Sequence, residues 1–427
     1  MAIQRGEVYF VELGPTRGRE LDNKRRPVLV LSQNFINHLS VYRARAVREA
    51  GEFLEGFEGS QDYDLALRVT ERTSASRIRH IPRVLYHWRA IPGSTSLGAG
   101  EKSYATGAAQ KALAAHLRRV GREAEVSVAG VNQYRVRYCR PAPTPKVHAV
   151  VSARRKASLD ECLDHLTSNT SYPDYEITLL CSPADAGQAV RVRRDCPVPV
   201  SVFERGGDVG EARALNGAAR AGGGELLLFL DGALSPVNRD WLAEMVSHAS
   251  RPEVGAVGAK LLDGGGKILH AGLLLGVGDR GTARVAGSAF YGMPEAHPRA
   301  VRFGRSQTVQ NFSAVAKSCL LIRRALFEEL GGFDDVNLPR LFFDVDLCLR
   351  LGGLGRRVLF TPFATLRLRS GPSRHYAYYN TPACAESEYM HRQWGALLRD
   401  DPYYNPNLDL TRGRYNLAFP PRVEEFL

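Results

Sequence analysis

The sequence predicts an α/β protein: an open, mostly parallel sheet with flanking helices. Three observations carry this. From Lys146 onward, short apolar runs alternate with helical periodicity: Val147–Val151, then Leu159, Cys162, Leu163 and Leu166 on one helix face, then Ile177–Leu180. The runs Val147–Val151 and Leu226–Leu230 are apolar throughout, as in strands buried on both faces. The stretch from Gly207 to Asp231, GDVGEARALNGAARAGGGELLLFLD, places a helix between Gly-rich turns ahead of a strand, the punctuation of β–α–β crossovers.

The chain has 427 residues, enough for two or three domains. With 44% hydrophobic and 24% charged residues it has a globular composition, neither disordered nor fibrous. The net charge of +12 predicts anionic partners: phosphates, nucleic acid or an acidic membrane surface. No apolar run approaches the roughly 18–20 residues of a membrane span, and the opening MAIQRGEVYF lacks a signal-peptide core. The seven cysteines (Cys139, Cys162, Cys181, Cys196, Cys319, Cys348 and Cys384) are scattered without metal-type pairs, which fits a reducing compartment. The expected location is cytoplasmic, peripheral to the inner face of the cell membrane.

The elements follow in order. In residues 1–36, Val8–Leu13 and Pro27–Leu31 read as two strands around a basic loop. Two strands cannot bury a core alone. Residues 37–125 read as a helix finishing over Val47–Phe53, a second helix at Tyr63–Val69, a strand-like IRHIPRVLYHWR and an amphipathic helix over 100–121. Asp62 and Asp64 fall at a helix N-terminus, where the dipole favours anions and where simple capping also places acids. Residues 126–145 give a short strand pair and a stiff Pro-rich linker. Residues 146–375 carry the alternating pattern. Residues 376–427 are aromatic-rich, then amphipathic, and are expected to pack back as a helix.

Within the main domain, Asp231 stands where a buried strand must end. In open α/β sheets, ligands bind beyond the carboxyl ends of the strands. An acid there is placed to hold a metal carrying a phosphate, although Asp231-Gly232 is also ordinary turn chemistry. Asp344 likewise is either a functional carboxylate or an N-terminal acid of the helix over 344–351. His270, in HAG, reads as a structural turn, and Gly264–Gly266 as a flexible turn with no helix to make it a phosphate loop.

Three resemblances add to this. The opening RGEVYFVELGPTRGRE…KRRPVLVLSQN resembles MazF/PemK-type toxins, small-barrel endoribonucleases; it implies a catalytic role for Arg26, but the family's remaining strands do not follow. Residues 37–125 resemble the C-terminal half of a family 2 glycosyltransferase. SQDYDLALR places Asp62 at the catalytic-base motif and LYHWR places His87 at the late metal-holding His, while the nucleotide-binding half that should precede them is replaced by the toxin-like hairpin. Residues 146–375 resemble a complete family 2 glycosyltransferase of the GT-A fold, the bacterial rhamnosyltransferase and O-antigen type. The motifs run in family order: PDYEI, ALNGAARAGGGELLLFLD, QNFSAVAKSCLLIRR, GGFDD, FFDVDLCLRL and TPFA.

This last resemblance implies inverting sugar transfer from a nucleotide-diphosphate sugar to a glycan or lipid-linked acceptor, with Mg or Mn neutralising the leaving diphosphate and no specific nucleic acid as partner. It makes Asp344 the base, Asp231 a metal ligand, and Asn216 and Asp231 nucleotide or diphosphate contacts. The chain departs from the family at four places. Ala233 stands where a second metal acid belongs. Cys181 replaces the nucleobase-binding Asp. Ser152–Arg155 reads SARR where the family has Pro-Thr-Arg-Asp. Leu368–Gly371 replaces the late His motif. Arg155 and Arg369 are therefore expected to supply the charge that a metal would. The competing expectation is a catalytically silent fold that binds within a polysaccharide assembly complex.

Overall fold

The computed structural model describes residues 40–79, 103–130, 133–152, 159–192, 196–279, 281–297, 304–369 and 381–422. Arg26, His87 and Arg155 lie outside them. The chain divides into two compact units, with the main boundary between Cys139 and Arg140.

The N-terminal unit contains α1 (Ala44–Glu49), α2 (Gln61–Arg72), α3 (Ser103–Arg119) and the antiparallel pair β1 (Ala124–Gly130) and β2 (Gln133–Tyr138). Tyr63 and Leu67 of α2, with Ala109, Ala112 and Leu113 of α3, close a small core. Its polar centre is Arg68. The guanidinium donates to Asp64 Oδ2 (2.8 Å), to the Ala50 carbonyl and to the Glu52 carbonyl (2.6 Å).

The larger unit runs β3 (Val147–Ser152), α4 (Leu159–Ser168), β4 (Tyr175–Cys181), α5 (Ala186–Val192), β5 (Val200–Glu204), α6 (Glu211–Ala219), β6 (Leu226–Asp231), β7 (Leu234–Pro236), α7 (Trp241–Ala249) and β8 (Val254–Leu262). Then come β9 (Ile268–His270), β10 (Leu273–Leu275), β11 (Ala286–Ser288), β12 (Gln310–Phe312), β13 (Cys319–Arg323), α8 (Arg324–Glu329), α9 (Phe343–Gly353), β14 (Arg357–Leu368) and α10 (Ala385–Arg399). Ten strands form one sheet, in the order β12-β14-β8-β13-β6-β3-β4-β5, with β7 on β14 and β9 on β8. The two-residue alternation of β6 splits between the faces. Leu226, Leu228 and Leu230 join the core under α4 and α7, while Leu227 and Phe229 join that under α6, α8 and α9.

The sheet is more mixed than the sequence pattern predicts. β5, β4, β3 and β6 are parallel neighbours, as are β8 and β14. Between those groups β13 runs antiparallel to both β6 and β8. The chain enters β13 from a loop at the carboxyl end of β6, pairing Cys319 with Leu230. That reversal brings the loop before β13 beside Asp231. Gly224 explains the tight entry to β6, because a Cβ there would lie 2.5 Å from the His148 amide nitrogen.

The polar network of the N-terminal unit recurs inside the larger unit. Arg350 donates to Asp346 Oδ2 (2.7 Å), to the Leu330 carbonyl (2.8 Å) and to the Gly332 carbonyl (2.9 Å). Each arginine thus reaches an acid four residues earlier on its own helix and two carbonyls of the preceding turn. Gly51 (φ 86) and Gly331 (φ 74) hold both turns in the left-handed region. Among the described residues, no helix is long and apolar enough to cross a membrane.

Candidate active site

The parallel strands end together. Ser152 of β3 pairs with Asp231 of β6, and Cys181 of β4 with Glu204 of β5. Asp231 is therefore fixed at the carboxyl edge by strand pairing on both sides. Its amide donates to the Ser318 carbonyl (2.9 Å), and its Oδ1 accepts the Ala233 amide (3.0 Å).

Asp344 arrives from the other direction, on the first turn of α9. The residue before that helix, Phe342, is left-handed (φ 61, ψ 1). This costs a bulky residue about 1–2 kcal/mol. Such strain persists only where surrounding structure enforces it, and here Phe342 and Phe343 are both buried in the core. Asp344 Oδ2 accepts the Lys317 amide (2.9 Å) and Oδ1 accepts the Val345 amide (2.9 Å). Lys317 and Ser318 are consecutive, so two adjacent residues of this loop bond to the Asp344 carboxylate and to the Asp231 backbone amide. Asp344 is only 1% exposed.

The loop that makes this link is anchored along its length. Ser313 donates to Asp401 Oδ1 (2.6 Å), and the Leu273 amide donates to the Ala314 carbonyl (2.9 Å). The Ala316 amide donates to His270 Nε2 (3.1 Å), and His270 Nδ1 faces the Ala259 carbonyl at 3.0 Å. A carbonyl on one nitrogen and an amide on the other fix a single neutral tautomer, with the proton on Nδ1. Burial lowers the His270 pKa to about 4, in keeping with that form. His270 is thus structural, and it braces the loop that carries Lys317.

Arg369 closes the opposite side. Its amide donates to the Ala233 carbonyl (2.9 Å), its guanidinium donates to the Gly232 carbonyl (3.0 Å), and it faces Glu161 Oε2 at 3.4 Å. Its Nε is buried without a partner. Arg369 and Asp231 both act electrostatically on Cys162, whose thiol burial pushes up to about 11. A guanidinium therefore lies at the turn just beyond Asp231.

Asn216 does not join this group. Its amide donates to the Phe333 carbonyl (2.9 Å) and to Asp335 Oδ2 (3.2 Å), and its Oδ1 accepts the Phe333 amide (2.9 Å). The side chain is spent on holding the 333–335 loop, which corrects the expected nucleotide contact. In the N-terminal unit, Asp62 Oδ1 accepts the Tyr63 amide (2.8 Å), the geometry of an acid at the start of a helix.

The donor set does not suit a divalent cation. Such an ion takes several oxygen or imidazole ligands. Asp231 is followed by Gly232 and by Ala233, which has no donor atom, and Arg369 contributes a positive charge at the same turn. Among the described residues no group of three His, Cys, Asp or Glu side chains could hold a metal.

The sequence profile described as glycosyltransferase-like family 2 matches residues 145–381, which is 237 of 427 residues. The chain belongs to this family. A second profile, the PemK-like, MazF-like toxin of type II toxin-antitoxin systems, matches residues 4–49, further than the expected boundary at residue 36. The family member is 36% identical over 414 residues to protein y4gI of Sinorhizobium fredii (strain NBRC 101917 / NGR234), covering 92% of this chain and 43% of that protein. It is 37% identical over 409 residues to the O-antigen biosynthesis protein RfbC of Myxococcus xanthus, covering 94% of this chain and 31% of that protein. The chain therefore spans less than half the length of these curated relatives, and the match reaches into its N-terminal unit. Among solved structures, it is similar to a mannosyltransferase from Pyrobaculum calidifontis in complex with GDP-Man and Mn2+. That likeness has a TM-score of 0.41 and 20% identity, and covers 62% of this chain and 72% of that one.

Residue spacing places Asp231 at a strand end and Asp344 at a helix start, whereas Arg369 rests on the family resemblance. Lys317 has no comparable signal. It sits in an irregular loop, and its position depends on the antiparallel entry of β13.

Proposed function

We propose that this protein is an inverting glycosyltransferase. It moves a sugar from a nucleotide-diphosphate sugar to a glycan or lipid-linked acceptor of a bacterial cell-surface polysaccharide. One observation carries the reading: Asp231 at the strand end and Asp344 at the head of α9 bond to consecutive residues of one loop, the Asp231 amide to the Ser318 carbonyl and the Asp344 carboxylate to the Lys317 amide. In this reading Asp344 takes the proton of an acceptor hydroxyl as that oxygen bonds to the anomeric carbon. The bond from that carbon to the diphosphate oxygen breaks on the opposite face, and its electron pair leaves with the nucleoside diphosphate. The configuration inverts, and Arg369 and Arg155 offset the charge of the leaving group. The printed name of the Myxococcus relative, O-antigen biosynthesis protein, supports the acceptor class. The net charge of +12 supports work beside an anionic membrane surface.

A second reading, a catalytically silent module that binds within a polysaccharide assembly complex, is favoured by Ala233 and by the burial of Asp344. Titration calorimetry with uridine, guanosine and thymidine diphosphates separates the two. The enzyme reading expects one of them to bind, and Asp344→Asn to lower turnover about 10²–10⁴-fold with nucleotide affinity retained. Absence of nucleotide binding at millimolar concentration refutes it. Unchanged turnover in Asp344→Asn removes that residue as the base.

A further inference from the structure

We propose that the Lys317 ammonium binds the donor's diphosphate where a divalent cation would otherwise act, and that Glu211 holds it in reserve until the donor arrives. This rests on the donor-binding reading above and assigns a residue that the reading does not need.

The position follows from the backbone. The Lys317 amide donates to the Asp344 carboxylate, and the carbonyl of the following residue, Ser318, accepts the Asp231 amide. The loop is braced by His270 and Asp401, so the α-carbon of Lys317 is fixed between the two acids. Its side chain then runs across the Phe343 ring, with the nitrogen 5.4 Å from the ring centre. It ends on Glu211 Oε1, at the first residue of α6. Both ends of that pair reach solvent: the Lys317 side chain is 19% exposed and that of Glu211 is 32% exposed.

The charge balance explains why a diphosphate would take this lysine. Asp231, Asp344 and Glu211 place three carboxylates around the loop, while the Arg369 guanidinium is held in place by the Gly232 carbonyl and faces Glu161, so it offsets charge without moving. An incoming diphosphate adds further negative charge and needs a cation that can be released to it. An ammonium has three donors on a flexible stem, and Glu211 is its one hydrogen-bond acceptor among the described residues. Exchanging a partly exposed carboxylate for a diphosphate oxygen keeps a charge-assisted hydrogen bond and gains a more highly charged partner. The competition also implies that Glu211 weakens donor binding in the wild type.

Titration calorimetry in EDTA tests this with the intact protein, using the best-binding nucleoside diphosphate and its parent nucleoside. Lys317→Ala should weaken diphosphate binding at least tenfold and leave nucleoside binding within twofold, which also shows that the site has folded. Lys317→Arg should restore most of the affinity. Glu211→Gln should bind the diphosphate severalfold more tightly than the wild type. Replacing the EDTA with manganese should change none of these affinities by more than twofold. Wild-type affinity in Lys317→Ala, or equal losses for nucleoside and diphosphate, overturns the assignment while leaving the glycosyltransferase reading intact. A tenfold gain with manganese that disappears in Asp231→Asn overturns the substitution of lysine for metal. Failure of the wild type to bind any nucleoside diphosphate overturns both readings.

Discussion

His270 offers a perturbation whose size can be worked from its surroundings. The ring is 1% exposed, accepts the Ala316 amide and donates to the Ala259 carbonyl, so a second ring proton has no place in the folded state. Its pKa falls from 6.5 to about 4 because burial penalises the charged ring. The unfolded chain therefore binds a proton that the folded chain refuses between those two values. Stability from this residue is complete above the unfolded pKa, is lost as pH falls towards 4, and is level below that. Linkage puts the loss between pH 7.5 and 4.5 at about 2.5 kcal/mol. His270→Gln keeps a polar side chain that does not titrate. The variant should be less stable than the wild type at pH 7.5, and that gap should shrink by about 2.5 kcal/mol at pH 4.5. Urea unfolding at several pH values, followed by tryptophan fluorescence with Trp241 buried in the same unit, measures the gap. Carboxylates titrate in both proteins and cancel in the difference. Parallel stability profiles for the two proteins would show that the fold does not exclude the proton and would refute the neutral-histidine brace.

Two further outcomes follow from packing. Arg68→Ala strands the buried Asp64, whose Oδ1 already lacks a partner, whereas Arg350→Ala leaves Asp346 with Trp394 Nε1 at 2.9 Å. Each should cost about 3–5 kcal/mol, with Arg68→Ala the more severe in its own unit; a calorimetric scan that overlays the wild type for either variant contradicts the clamp. Gly224→Ala should cost about 2–3 kcal/mol, because the new methyl meets the His148 amide nitrogen and the Lys146 carbonyl, backbone atoms that cannot turn away; unchanged denaturant midpoints would argue against so close an approach of these strands.

The unbroken apolar run Leu226–Leu230 is sufficient by itself to place a doubly buried strand and to set Asp231 at its end. Strand periodicity is local, and a strand covered on both faces must be apolar at every position. The acid of FFDVDLCLR was likewise placed at a helix start from adjacent residues alone.

What only the tertiary structure decided is how these pieces meet. β13 enters antiparallel between β6 and β8, a pairing of residues far apart in sequence that no local pattern encodes. That entry brings Lys317 to Asp344, 27 residues later, and to Glu211, 106 residues earlier. The same limit explains Asn216. A polar residue in the middle of a short helix reads identically whether its amide faces a ligand or a loop, and here it faces the loop at Phe333. Asp231 and Asp344 are therefore legible one by one, whereas their approach to the loop at Lys317 depends on the long-range strand order.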